Sequence, residues 1–201
     1  MWIVKIGGSW LKNPELPKLI NLLKNFSSQK MVLVVGGGVF ADSVREFYRT
    51  VKMSECTGHL LAMKATELFA YYLKSINPEI HLTENIEHFV NDKINLWLPS
   101  DRMHMEECFE KSWESTSDSI ATWLYTNTQA DGLIFVKSIN FEKKKSINLI
   151  DLQKKKIIDL NIKNYLYKKK NLKIVGPEFI EFLKIHSKWD LVISNLKEIE
   201  L

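Results

Sequence analysis

The chain has 201 residues but only two cysteines, and Cys56 and Cys108 stand far apart with no C-x-x-C spacing. That scarcity argues against a disulfide framework and a thiolate zinc site, so both side chains read as ordinary reduced thiols. Five prolines and eight glycines build no Pro/Gly/Ser-rich linker, and no stretch repeats at a fixed period. With 45% hydrophobic residues to fill a core, a single domain over residues 1–201 is the expected organisation. No apolar run approaches the length that crosses a bilayer, and residues 1–5 lead into a strand pattern rather than a secretory signal. A cytoplasmic protein with no membrane partner is therefore expected. A large excess of one charge is missing too, since 28 Lys and Arg against 24 Asp and Glu leave a formal +4. Much of the lysine sits in triplets at 143–145, 154–156 and 168–170. These read as solvated surface, and no nucleic acid is expected as a partner. His81, His88, His104 and His186 share no metal-ligand spacing.

What the chain does have is one device used twice. Residues 31–45, Met-Val-Leu-Val-Val-Gly-Gly-Gly-Val-Phe-Ala-Asp-Ser-Val-Arg, run from an apolar strand through three glycines into a helical pattern. Four consecutive β-branched or leucine residues suit a strand buried on both faces. Gly36, Gly37 and Gly38 free the backbone for positive φ and let an anion approach bare amides, beside the positive end of the following helix. Residues 2–9, Trp-Ile-Val-Lys-Ile-Gly-Gly-Ser, repeat the arrangement with Lys5 inside the strand and Ser9 at its exit. Two anion-ready turns point to an enzyme that handles phosphate.

Between them, Asn13-Pro14 reads as an N-cap with proline at the first helical position, and Leu16, Leu19, Ile20, Leu23 and Phe26 form one apolar stripe. Further helices are expected over 41–50 and over 57–75, the latter turning Leu61, Ala65, Leu68, Phe69 and Tyr72 inward. Strands are expected at 80–83 and 94–98, and Ser100-Asp101 as the cap of a helix running toward Phe109. Residues 113–124 read as a polar loop entering a helix with Ile120, Ala121 and Leu124 inside. The strand at 133–137 places Lys137 at its carboxyl end, where ligands bind in parallel sheets. Beyond residue 140 the pattern suggests a hairpin over 147–152 and 157–160, a helix over 162–169, a strand over 172–175, a helix from Gly176-Pro177 to Leu183, and a last strand over 190–194. Such alternation predicts a three-layer α/β/α sandwich on a mainly parallel open sheet.

Three segments together resemble the amino acid kinase family: Val4-Lys-Ile-Gly-Gly-Ser9, Val34-Val-Gly-Gly-Gly38 and Thr116-Ser-Asp-Ser-Ile-Ala121. Phe40-Ala-Asp-Ser-Val-Arg45, His59-Leu-Leu-Ala-Met63 and Trp113 with residues 116–124 narrow the resemblance to a branch working in methanofuran biosynthesis, that of [5-(aminomethyl)furan-3-yl]methyl phosphate kinase. The resemblance covers residues 2–139. It implies an acceptor side mainly within 1–110 and a nucleotide side mainly within 111–201. It also implies ATP with Mg2+, a small-molecule phosphate acceptor, and a homo-oligomer paired through helices on the acceptor side. The Gly-Gly-Met motif and second catalytic lysine of many relatives are not found.

Within that frame Lys5 is expected on the β- and γ-phosphates, with Gly7, Gly8 and Ser9 donating to the nucleotide. The resemblance makes Asp118 the carboxylate that orients the catalytic lysine; by its position alone it is equally a first-turn helix acid. Ser117 and Ser119 either donate to phosphate or cap that helix, and Lys137 either reaches the nucleotide or ends its strand in solvent. Gly36, Gly37 and Gly38 would hold the acceptor or the phosphoryl group in transit. Arg45 either grips an acceptor phosphate or pairs with Asp42, and His59 either touches substrate or is a satisfied helix histidine. The six tryptophans read mostly as core or subunit contacts, and Trp113, within the motif, either shares that role or stacks on a flat ring such as furan. The expected function is transfer of the ATP γ-phosphoryl group to a small phosphate, foremost an aminomethylfuran monophosphate. The alternatives are a kinase for another phosphate or carboxylate, and a non-catalytic binding or subunit protein on the same fold.

Overall fold

The computed structural model describes residues 1–167 and 171–201. Its strands are β1 (Trp2–Ile6), β2 (Met31–Val35), β3 (His81–Thr83), β4 (Ile94–Trp97), β5 (Gly132–Val136), β6 (Ser146–Asn148), β7 (Leu172–Val175) and β8 (Lys197–Glu200). The helices are α1 (Leu16–Lys24), α2 (Gly38–Thr50), α3 (Glu55–Ile76), α4 (Ser100–Met105), α5 (Ser117–Thr126), α6 (Leu149–Lys154), α7 (Lys163–Leu166), α8 (Phe179–Ile185) and α9 (Trp189–Ser194). The eight strands form one sheet in the order β3-β4-β2-β1-β5-β7-β8-β6. Every pair is parallel except β7 with β8.

The alternation of side chains along a strand sorts the central residues into two layers. Val4 and Ile6 of β1, with Leu33 and Val35 of β2, pack under α1, α8 and α9. Ile3, Val32, Val34, Leu133 and Phe135 face the other way, against Ile120, Ala121 and Leu124 of α5. Fully buried Val, Ile and Leu on both sides are what a central parallel strand requires. By the same period Lys5 follows Ile3, and Lys137 follows Phe135, toward the α5 layer. The chain is thus an α/β fold with helices on both faces of the sheet, as its pattern predicts.

Several local expectations need correction. Asn13 does not cap α1; its Oδ1 accepts from Glu15 N at 2.9 Å, and the helix begins at Leu16 with proline in its first turn. A 3-10 turn over Gly8–Lys12 stands where no element was expected. Ser100 lies inside α4, with Pro99 in the cap position and α4 ending at Met105. In α3 only Ala65 and Phe69 of the expected stripe are buried, while Leu61, Leu68 and Tyr72 are exposed. The buried stripe is Gly58, His59, Met63, Ala65, Thr66, Phe69, Ala70 and Leu73, in which small and polar residues allow close approach, so that a reading by apolar bulk selects the outer face.

Residues 147–160 form no hairpin, because β6 pairs in parallel with β8 and runs directly into α6. Residues 190–194 are helical, since Trp189 and Val192 at i, i+3 both reach the core layer that α1 covers. The last strand is instead the charged, alternating Lys197–Glu200. Of the helix expected over 162–169, Lys163–Leu166 is helical; residues 168–170, with their lysine triplet, lie outside the described residues.

Candidate active site

β1 lies between β2 and β5, with Lys5 in register with Val34 on one side and Phe135 on the other. Three parallel strands therefore end side by side, where ligands of parallel sheets bind. The ladder continues into the turns: Gly36 N donates to Ile6 O and Gly7 N to Val136 O, each at 2.9 Å. There the two glycine turns touch through their backbones. A Cβ on Gly8 would stand 2.3 Å from Gly38 N, one on Gly36 would stand 2.5 Å from Gly8 N, and Gly38 itself has φ +52°. No side chain fits between the turns, so they form one surface of backbone, beside the first N–H groups of α2 that have no helical partner.

These turns open on a cleft of about 1230 Å³. On its wall Asp118, in the first turn of α5, meets both lysines of the neighbouring strands. Lys5 Nζ is 2.7 Å from its Oδ1, and Lys137 Nζ is 2.9 and 2.8 Å from its two oxygens. All three side chains are buried or nearly so. Burial would raise the Asp118 carboxyl, but the fields of Lys137 and Lys5 outweigh it and hold the group down at about 2. Burial, with Lys5 close by, lowers the Lys137 ammonium to about 8 despite the attraction of Asp118. At neutral pH two ammonium groups share one carboxylate, an arrangement that a phosphate oxygen would complement.

Two residues that the sequence pattern did not single out support this group. Asp159 accepts from Thr116 N (2.8 Å) and Oγ1 and from Ser119 N (3.1 Å) and Oγ (2.9 Å), pinning the start of α5 and so the position of Asp118. Burial and the Asp118 charge raise its pKa. Ser138 meets Ser9 Oγ to Oγ at 2.6 Å, tying the first glycine turn to the end of β5. Asp159 carries no motif, and its partners lie 40 or more residues away.

Lys5, Gly7, Gly8, Ser9, Gly36, Gly37, Gly38, Asp42, Arg45, His59, Ser117, Asp118 and Lys137 all line the cleft. Ser119 does not, its hydroxyl being engaged by Asp159. Arg45 pairs with Asp42 at 2.7 Å and lies 5.8 Å from the Trp113 ring centre. Trp113 packs edge-on to Tyr48, with ring centres 5.1 Å apart. The exposed triplet at 154–156 reaches the rim of the same cleft, although as sequence it reads as plain surface. Among the described residues no group of three or more His, Cys, Asp or Glu side chains could hold a metal ion, and no helix is long and apolar enough to cross a membrane.

The amino acid kinase family model matches residues 1–151. Over 133 residues, 62% of this chain, the sequence is 33% identical to [5-(aminomethyl)furan-3-yl]methyl phosphate kinase of Methanocaldococcus jannaschii, and the matched stretch spans 59% of that protein. Among solved structures, uridylate kinase from Archaeoglobus fulgidus superposes with a TM-score of 0.68 at 17% identity, covering 99% of both chains. An isopentenyl phosphate kinase gives 0.63 at 14% identity over the whole of both chains. Aspartate kinase from Synechocystis gives 0.65 at 11% identity, over 87% of this chain and 37% of its own. At such identities the superpositions show the shared fold.

Proposed function

The chain belongs to the amino acid kinase family, and from that premise we propose that it moves the γ-phosphoryl group of ATP onto a small phosphate acceptor. The observation that carries the reading is the Lys5–Asp118–Lys137 group set against two abutting glycine turns. Phosphoryl transfer spreads charge over the moving group and asks the protein mainly for position and fixed positive charge. Lys5 and Lys137 supply that charge, and Asp118 holds both ammonium groups in place so that little reorganisation is needed at the moment of transfer. The Gly7 amide, expected as a donor, is spent on Val136 O, so the Gly8 amide and the Ser9 hydroxyl take the nucleotide phosphates. Gly36, Gly37, Gly38 and the start of α2 take the acceptor.

In the reaction an acceptor phosphate oxygen bonds to the γ-phosphorus as the bond to the β,γ-bridging oxygen breaks, and ADP leaves with the electron pair. An acceptor phosphate is already ionised at neutral pH, so the step needs no general base. With no protein cluster suited to a resident metal among the described residues, magnesium is assigned to the nucleotide's own phosphates, whose charge it offsets. The acceptor we favour is an aminomethylfuran monophosphate, giving a diphosphate. The relative of that specificity supports this choice, as does the placement of Trp113, an aromatic wall, on the cleft.

Phosphorus NMR with magnesium ATP and a panel of small phosphates tests the proposal. A diphosphate signal should appear with the wild type, and Lys5→Ala should slow its formation about 10²- to 10³-fold. No product from any acceptor, together with no ATP binding by calorimetry, would sink the catalytic reading.

A further inference from the structure

Four buried side-chain nitrogens have no hydrogen-bond partner among the described residues: Trp10 Nε1, Trp189 Nε1, Trp113 Nε1 and His59 Nδ1. Trp10 and Trp189 sit in the apolar layer beneath α1, but His59 and Trp113 line the cleft. A buried polar atom left unpaired is costly, and in a residue that lines a binding site it calls for a partner that the protein itself does not supply.

The chemistry of that ligand follows from the tautomer. His59 Nε2 is 2.8 Å from the Ser115 carbonyl oxygen, which can only accept, so Nε2 carries the hydrogen. Burial lowers the imidazole pKa, the ring is neutral at pH 7, and Nδ1 is a bare lone pair. A phosphate oxygen is another acceptor and cannot satisfy it. Trp113 has the converse need, because its Nε1–H only donates.

The two residues are built as a unit. Ser115, which fixes His59, is two residues from Trp113. Gly58, next to His59, leaves room for the indole, since a Cβ there would be 2.8 Å from Trp113 Cζ2. Glu114, between Trp113 and Ser115, also lines the cleft.

We propose that His59 Nδ1 accepts, and Trp113 Nε1 donates, a hydrogen bond to the acceptor substrate. The site thereby selects a small phosphate that carries a hydrogen-bond donor, an ammonium or a hydroxyl, apart from its phosphate group. The inference rests on the kinase reading above for the reaction and adds what the acceptor must contain.

Three acceptors separate the possibilities: the aminomethylfuran monophosphate, its hydroxymethyl counterpart and its methyl counterpart, each with magnesium ATP. The wild type should prefer one or both donor-bearing compounds over the methyl compound by about tenfold or more in kcat/KM. The better of the two identifies the donor. In His59→Gln, whose amide nitrogen can keep the bond to Ser115 while Nδ1 is lost, that preference should shrink to within about threefold. Equal use of all three by the wild type, or an equal loss on all three in the variant, would overturn the assignment.

Nitrogen NMR of histidine-labelled protein gives a readout independent of turnover. The free protein should show hydrogen on Nε2, and the Nδ1 resonance should move upfield on saturation with a donor-bearing compound but not with the methyl one. Turnover with an unmoved Nδ1 overturns this inference and leaves the kinase standing. A shift without turnover overturns the kinase alone, and the absence of both overturns both.

Discussion

Two ammonium groups on one buried carboxylate give activity and stability opposite responses to alkali. Lys137 is held at about 8, below its ordinary 10.5. As pH rises through about 8 it loses the charge proposed for the phosphoryl group, so kcat/KM is expected to fall there, and Lys137→Met should remove that limb along with most of the activity. For folding the sign reverses. Between about 8 and 10.5 the unfolded chain holds a proton on residue 137 that the folded chain has released, so stability rises with pH across that window. Thermal melts of the ligand-free protein should therefore show the wild type gaining on Lys137→Met from pH 8 to 10.5. A parallel pair of curves would refute the shift. Asp118 acts at the other extreme. Its group lies at about 2 against an ordinary 3.8, so the stability it contributes is complete above 3.8 and is lost as pH falls through 2.

At the scale of elements, the site depends on turns that admit no side chain. Gly8→Ala would drive a Cβ to 2.3 Å from Gly38 N and 2.7 Å from its Cα, and neither backbone can yield without parting β1 from β2. A loss of about 1–3 kcal/mol is expected in chemical denaturation, with nucleotide affinity lost as well. Unchanged stability and affinity would show that the turns do not need their contact. Much of this was legible beforehand, because glycines after buried strands state their purpose locally: β1, β2, β5 and α5 fall where the pattern puts them. Legibility failed where the information is not local. Asp159 acts on the start of α5 from more than 40 residues away. Trp189 and Val192 look like part of a strand until the core layer they fill is known. The inner face of α3 sets glycine, alanine, threonine and histidine among Met63, Phe69 and Leu73, and the burial of those small and polar residues follows from how closely their neighbours approach and not from their own hydrophobicity.

For the molecule as a whole, the outer face of α3 leaves Leu61, Leu68, Tyr71 and Tyr72 exposed. We propose that a homo-oligomer covers this row. Light scattering at working concentration should show more than a monomer, and Leu68→Lys should shift the balance toward single chains; a wild type that is already monomeric would refute it. The place of β1 carries a different consequence. It pairs on one side with β2, close by in sequence, and on the other with β5, whose Gly132 lies opposite Trp2. Contacts of such sequence separation slow folding, because a long loop must close before they return anything. During synthesis β1 and β2 leave the ribosome well ahead of β5, so one apolar strand edge waits uncovered until about 100 further residues have been made. In that interval the nascent chain is at its most prone to aggregate or to be held by a chaperone.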